Sequence, residues 1–372
     1  PPAMNIDTDN LRYRIALSRV KGMNLQTAKS LLDAAGGIDA FFTLRENELK
    51  ERMGVNGRIF SETLRGEALL FADREIEFIR KAQIQPLFFT DPEYPARLSD
   101  CPDAPLMLYY RGSTDLNPPH IVSIVGTRHA TPYGKGFCEE LVRDLAELLP
   151  GTCIVSGLAY GIDICAHRAA LKNGLPTLAI LAHGLNQIYP ASHRNTAIEI
   201  VRQGGLLTEY GSQQTLHRAL FLARNRIVAG ISDATIVIES GEKGGSLVTA
   251  AIANSYHRDV FALPGRKSDP YSIGCNRLIQ RNHAVLIDSA ESLAEAMGWH
   301  IRKKEPVQQQ LFPDLSPEEN EILNYLRQHG EAAINRMTVD LNRPTSHLLS
   351  HLIELEFKGL AISCPGGMYR PI

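Results

Sequence analysis

An α/β architecture around a doubly wound, mostly parallel sheet is the fold class this sequence predicts, and three observations carry it. Between residues 121 and 297, short apolar runs alternate with helical stretches, the rhythm of a parallel sheet wound from strand–helix units. Ala234 to Glu239 (ATIVIE) is rich in β-branched residues and nearly all apolar, as a strand covered on both faces should be. Several strand ends run into glycine turns, the place where a doubly wound sheet binds its ligand.

The elements follow in order. Pro1, Pro2 and Ala3, ahead of Met4, read as a cloning remnant and stand outside the expected fold. Residues 4–78 form an expected helical domain, its first stretch closing at Gly36-Gly37. Two turns there, Gly22-Met23-Asn24 and Gly54-Val55-Asn56, share a glycine–apolar–asparagine pattern. They suggest a degenerate SAM/helix-hairpin-helix-like unit, which offers backbone N–H groups to a phosphate. A pair of simple left-handed turns reads equally well.

Residues 79–300 form the expected extended Rossmann-like domain. Its strands are Leu87 to Phe89, Leu106 to Tyr110, Ile121 to Val125, Cys153 to Ser156, Thr177 to Leu181, Leu206 to Thr208, Ala234 to Glu239, Val260 to Ala262 and Ala284 to Ile287. Helices are expected over Pro132 to Leu149, Asp163 to Asn173, Ser192 to Gln203 and Leu247 to Tyr256, with a last one ending at Met297. Residues 301–313 are polar and read as a linker. Residues 314–372 read as a winged helix: a helix capped by Ser316 with Glu319 at its third position, a short helix Ala333 to Asp340, a helix Thr345 to Phe357 and a strand pair. The helix that would enter a groove carries His347, His351, Glu354 and Glu356 and no arginine, which favours a partner-binding or packing role over duplex reading.

Three loops leave strand ends with the makings of an anion site. These are Gly126-Thr127-Arg128, the run Ser156 to Asp163 (SGLAYGID), and Gly241 to Ser246 (GEKGGS) ahead of a helix. A glycine turn opening a helix gathers free N–H groups at the positive end of the helix dipole. Upstream, Arg224, Asn225 and Arg226 interrupt an apolar helix. The pattern is no dinucleotide fingerprint: G-x-G-x-x-G is missing, and so is the acidic ribose ligand after the second strand. GEKGGS puts its lysine ahead of the glycine pair, so it is no Walker A loop either.

Composition narrows the classes further. With 44% hydrophobic and 22% charged residues and a net charge of −2, the chain is an ordinary globular protein whose nucleic-acid contacts would have to be local. Six scattered cysteines without a C-x-x-C pair suit reduced thiols of a cytoplasmic protein. Neither a signal-peptide pattern nor a run of 18 apolar residues is present, so no membrane role is expected. The twelve histidines show no H-E-x-x-H, and no metal or cofactor is expected.

The segments SIVGTR, VSGLAYGIDICAH, LAILAHGLNQIYPASHR, GGLLTEY, FLARNRIVAGIS, ESGEKGGSLVTAA, ALPG and GCNRLIQ together resemble the DNA-processing protein A (DprA/Smf) family. The resemblance implies a non-enzymatic, dimeric single-stranded-DNA binder. Such a protein protects incoming DNA in natural transformation and loads RecA onto it, displacing single-strand-binding protein. The implied DNA pocket falls on Gly126, Thr127, Arg128, Tyr160, Arg218, Phe221, Arg224, Asn225, Arg226, Lys243, Gly244, Gly245 and Ser246. Arg128, Arg226 and Lys243 would hold phosphates and Phe221 would stack a base. Tyr160 stands where many relatives have lysine, Leu222 where they have proline, and Asn282-His283 replaces their usual polar residue and glycine.

The rival is an enzyme, a nucleotide phosphoribohydrolase of the lysine-decarboxylase-like class, whose P-G-G-x-G-T-x-x-E loop resembles SGEKGGSLVTAA. That chemistry needs a carboxylate in the helix after the glycines, where this chain has Leu247, Val248 and Thr249.

Overall fold

The computed structural model describes residues 8–54, 57–301, 315–364 and 366–372. They form two units, Pro1–Arg302 and Lys303–Ile372, each with its own apolar core.

The first unit opens with helices α1 Thr8–Arg19, α2 Leu25–Ala35, α3 Ile38–Thr43, α4 Glu46–Met53 and α5 Glu62–Ala82. Asn24 caps α2 by accepting the Thr27 N–H at 2.9 Å, so in this turn the asparagine serves the helix that follows it. In the matching turn, Gly54 closes α4 at φ +64°, while Val55 and Asn56 lie outside the described residues. The expected boundary at residue 78 falls inside α5, which runs on to Ala82. The buried face of α5, Ala68, Ala72, Ile76 and Ile79, shares one core with Leu87, Phe88 and Tyr109 of the sheet. Glu75 on the same helix accepts both the N–H and the hydroxyl of Ser212.

Strands β1 Gln85–Phe88 and β2 Met107–Gly112, with the short helix α6 Ala96–Ser99 between them, lead into the α/β body. There the chain runs β3 Ile121–Gly126, α7 Pro132–Leu148, β4 Cys153–Ser156, α8 Ile162–Lys172, β5 Thr177–Ile180, α9 Arg194–Gln203 and β6 Gly205–Thr208. Then come α10 Arg218–Gly230, β7 Ala234–Ile238, α11 Gly245–Ser255, β8 Asp259–Ala262, α12 Ile273–Gln280, β9 Val285–Leu286 and α13 Ala290–Ala296. Helices α6 and α12 were not foreseen; the rest lie within a few residues of expectation. Across the sheet the order is β1-β2-β6-β5-β4-β3-β7-β8-β9, with only the β1–β2 and β2–β6 pairs antiparallel among the described strands.

Strand residues alternate between two cores, as the period of a strand requires. Ile121 and Val125 of β3 join the core that holds α10 and α11, whereas Val122 and Ile124 join the one that holds α7, α8 and α13. Each fully buried aliphatic side chain here contributes about 1.5–3 kcal/mol. The polar pair inside the sheet is satisfied, because the Ser123 and Thr235 hydroxyls meet at 2.8 Å. The chain winds outward from β3 to β6, and α10 then carries it back to lay β7 on the other side of β3. That reversal makes the carboxyl ends of β3 and β7 the switch point of the sheet, where its ligand crevice belongs.

The second unit holds α14 Pro317–His329, α15 Ile334–Asp340, α16 Thr345–Phe357 and strands β10 Ala332–Ala333, β11 Ala361–Cys364 and β12 Met368–Pro371, ordered β10-β12-β11. Ser316 and Glu319 form the expected capping box at the start of α14. Leu348, Leu352 and Leu355 of α16 are fully buried against Ile322 and Leu326. The expected linker, apart from residue 301, lies outside the described residues.

Candidate nucleic-acid interface

The loops after β3, β4 and β7 converge at the switch point and are tied to one another through their backbones. Thr127 donates its N–H to the Glu239 carbonyl at 2.8 Å and accepts the Ile162 N–H at 3.2 Å. A Cβ on Gly126 would lie 2.0 Å from the Ile238 carbonyl oxygen, and one on Gly161 would lie 2.1 Å from that of Thr127. Glycine is required at both places because backbone runs against backbone. The loop after β4 bends around a carboxylate: Asp163 accepts the N–H groups of Gly157 at 3.1 Å and Ala159 at 3.4 Å. Burial raises the Asp163 pKa, and Arg224 opposes that rise.

The two arginines of the R-N-R triplet serve this framework. Arg224 is buried and donates to the carbonyls of Gly157 (2.8 Å) and Ile180, bridging the ends of β4 and β5. Burial lowers its pKa. The reading of Arg224 as a DNA contact therefore gives way to one as an internal brace. Arg226 points elsewhere and is ion-paired with Glu209, with Asp103 at 4.0 Å. Glu209 takes Nη2, and Nη1 is buried without a hydrogen-bond partner among the described residues, so the expectation that Arg226 holds a phosphate gives way to a part-buried ion pair. Ser246 is corrected likewise: it is buried, and its hydroxyl bonds the Ser240 hydroxyl at 2.9 Å. Gly244 packs on that same Ser240 side chain.

What remains open to solvent is a set of cations around aromatic rings. Arg128, Arg218 and Lys243 are exposed, and their side chains have no hydrogen bond or ion pair among the described residues. Arg218, Phe221 and Asn225 share one face of α10 by their spacing. Asn225 sits at 3.5 Å from the Gly245 carbonyl, which joins that face to the exposed glycine of the loop. Phe221 is half-buried and meets the ring of Tyr189 edge-on at 5.5 Å. Tyr160 is exposed; its hydroxyl lies 3.2 Å from that of Ser192, and its ring packs edge-on against His193 at 4.9 Å. Tyr189 is 46% exposed, and the sequence reading missed it. The signal was present in LNQIYPASH, where an aromatic residue beside a proline stands in a loop leaving β5. Tyr160, Tyr189 and Phe221 thus line one edge of the crevice, linked through the Tyr189–His193 segment.

The family model for DNA recombination-mediator protein A matches residues 85–298, the whole α/β body. The chain belongs to this family. It is 40% identical over 205 residues to the DNA processing protein DprA of Streptococcus pneumoniae, covering 55% of this chain and 72% of that protein. It is 35% identical over 293 residues to the protein Smf of Synechocystis, covering 76% and 71%. The X-ray structure of the S. pneumoniae protein superposes with a TM-score of 0.65 at 32% identity, covering 76% of this chain and 97% of that one. A DNA processing protein A from Helicobacter pylori, whose structure is described for its single-stranded DNA binding mode, superposes with a TM-score of 0.52 at 34% identity, covering 58% and 95%.

Membership in the DNA recombination-mediator protein A family also bears on the enzymatic rival. In this member neither acid near the glycine loop is free. Glu239, at φ +55°, accepts the N–H of Thr131 at 2.8 Å and its hydroxyl, fixing the cap of α7. Glu242 is paired with Arg277 at 2.5 Å. Among the described residues no helix is long and apolar enough to cross a membrane.

Proposed function

We propose that this chain is a single-stranded-DNA-binding recombination mediator, which protects incoming DNA and loads RecA onto it as a homodimer. The observation that carries the reading is the meeting of unpaired cations, Arg128, Arg218 and Lys243, with the exposed rings of Tyr160 and Tyr189 and the half-buried ring of Phe221 at the switch point. Cations for phosphates beside rings for bases is the chemistry of an unpaired strand; a duplex keeps its base faces stacked away. Thr127, Asn225, Gly244 and Gly245 supply polar and backbone surface between them. No catalytic role is assigned to these residues. We read the second unit as a winged helix that contacts protein, since Leu349, Ile353 and Phe357 are exposed on α16. The N-terminal helices, read as a SAM/helix-hairpin-helix-like unit, support the sheet.

The test is fluorescence anisotropy with a labelled oligonucleotide of about 20 bases, single- and double-stranded, across a salt series. Single strands should bind more tightly than duplex. Arg128→Ala should weaken binding several-fold and reduce the salt slope by about 0.7, one phosphate's share. Equal affinity for duplex, with Arg128→Ala unchanged, would overturn the reading.

A further inference from the structure

The crevice does not end at Tyr189. The segment Asn186–Arg194 that carries Tyr189 and Ser192 on the crevice side also borders a second hollow, of about 590 Å³, between α9 and the β2–β6 pair. Its rim holds Arg194 at the start of α9, Arg202 at the end of α9, and Arg111 on β2 opposite Leu206 of β6. All three are exposed, and none of their side chains has a hydrogen bond or ion pair among the described residues. The floor between them is apolar: Ile188, Ile198 and Val201, with Ile198 46% exposed. Residues 194, 197, 198, 201 and 202 form one stripe of α9 by helical spacing. The acid of this helix, Glu199, lies off that stripe and lines the hollow on its far side with Arg168, Lys172 and Arg202, which borders both hollows. No carboxylate therefore lines the groove with these arginines.

We propose that this groove is the continuation of the DNA path, a second phosphate track that takes the single strand as it leaves the aromatic row. The inference rests on the reading of the switch-point crevice as a single-strand site. Continuity singles out this occupant, because Ser192 touches Tyr160 and Tyr189 touches Phe221 while their neighbours Ile188, Ala191 and Arg194 line the groove. Arg194 and Arg202 stand about 12 Å apart along α9. That is room for roughly two to four phosphates at 3.4 Å or more per nucleotide. The hydroxyl of Ser113, two residues after Arg111, donates to the Arg202 carbonyl at 3.0 Å, so the far end of the track is held together across two elements.

The experiment compares two single-stranded oligonucleotides, of about 6 and about 20 bases, on wild type, Arg128→Ala and the triple variant R111A/R194A/R202A. The triple variant should bind the short strand within about twofold of wild type, lose about tenfold on the long strand, and show a long-strand salt slope smaller by about 2. Arg128→Ala should weaken both lengths. Arg194→Glu alone, a charge reversal at the groove mouth, should reproduce part of the long-strand loss. If the triple variant binds the long strand as wild type does, the track does not exist. That holds equally if it loses only an added polyglutamate peptide, which would make the groove a peptide site. If wild type fails to bind even the short strand, the crevice reading falls and this proposal falls with it.

Discussion

On α10 a step of two residues turns a side chain through about 200°, so Arg224 and Arg226 leave the same helix in nearly opposite directions. Arg224 enters the sheet end and meets the Gly157 and Ile180 carbonyls, while Arg226 meets Glu209. The R-N-R run told that cations were present but not which would be braces, because charge carries no burial signal of its own. A helical wheel of 218–226 carries part of it: Arg218, Phe221 and Asn225 fall on the open face, and Arg224 falls with the buried Leu220, Ile227 and Val228. The consequence is measurable. Arg224→Ala would strand two carbonyls and leave buried Asp163 without its nearest cation, and should cost about 3 kcal/mol or more of unfolding free energy in urea. Arg128→Ala, exposed and unpaired, should stay within about 0.5 kcal/mol of wild type. Similar stability losses for the two would contradict the division into brace and contact.

The glycine pair ahead of α11 shows what an element adds to a motif. In sequence Gly244 and Gly245 look equivalent. In the fold, a Cβ on Gly244 would sit 2.2 Å from the Ser240 hydroxyl, and one on Gly245 would meet nothing within 4 Å. Neither has a positive φ among the described backbone angles, so the difference is one of contact. Gly244→Ala should therefore destabilise by about 1–3 kcal/mol through overpacking. Gly245→Ala should leave the melting temperature unchanged or slightly raised, since alanine is the better helix former. If a DNA backbone lies against Gly245, the same variant will bind single strands several-fold more weakly. An unchanged affinity would move the strand away from this loop. Element ends were legible for similar reasons: Cys153–Ser156 and Thr345–Phe357 were read to the residue, bounded by turns and by Pro344. Helix α12 was missed because IGCNRLIQ is only two turns long and carries a glycine, Gly274, in its first turn.

At the scale of the molecule, strand alternation revealed a mostly parallel sheet but not its order, which depends on where α10 returns the chain. Nor did it reveal that α5 shares its core with β1 and β2, because an amphipathic helix does not say what it packs on. The burial that makes this core also makes stability depend on pH. His167 of α8 is fully enclosed, with Nδ1 2.7 Å from the Thr177 hydroxyl and Nε2 without a partner among the described residues. Burial, with Arg224 and His193 adding repulsion, lowers its pKa from 6.5 to about 3. A histidine depressed in the folded state contributes stability that is fully present above pH 6.5 and is lost as pH falls from there toward 3. His183 is lowered by burial and acts with the same sign. Asp163 is raised by burial, so its contribution falls as pH rises and opposes the histidines. His167 should contribute about 1.4 kcal/mol per pH unit once the unfolded chain takes up its proton. Urea unfolding of wild type and His167→Gln at pH 7, 6 and 5 tests this. The variant should start less stable, having lost its packing, yet lose less on acidification, by about one proton's worth of slope between pH 6 and 5. Parallel slopes would mean that His167 already carries its charge in the folded protein, and that the space around Nε2 is wetter than the closed core of α8 allows.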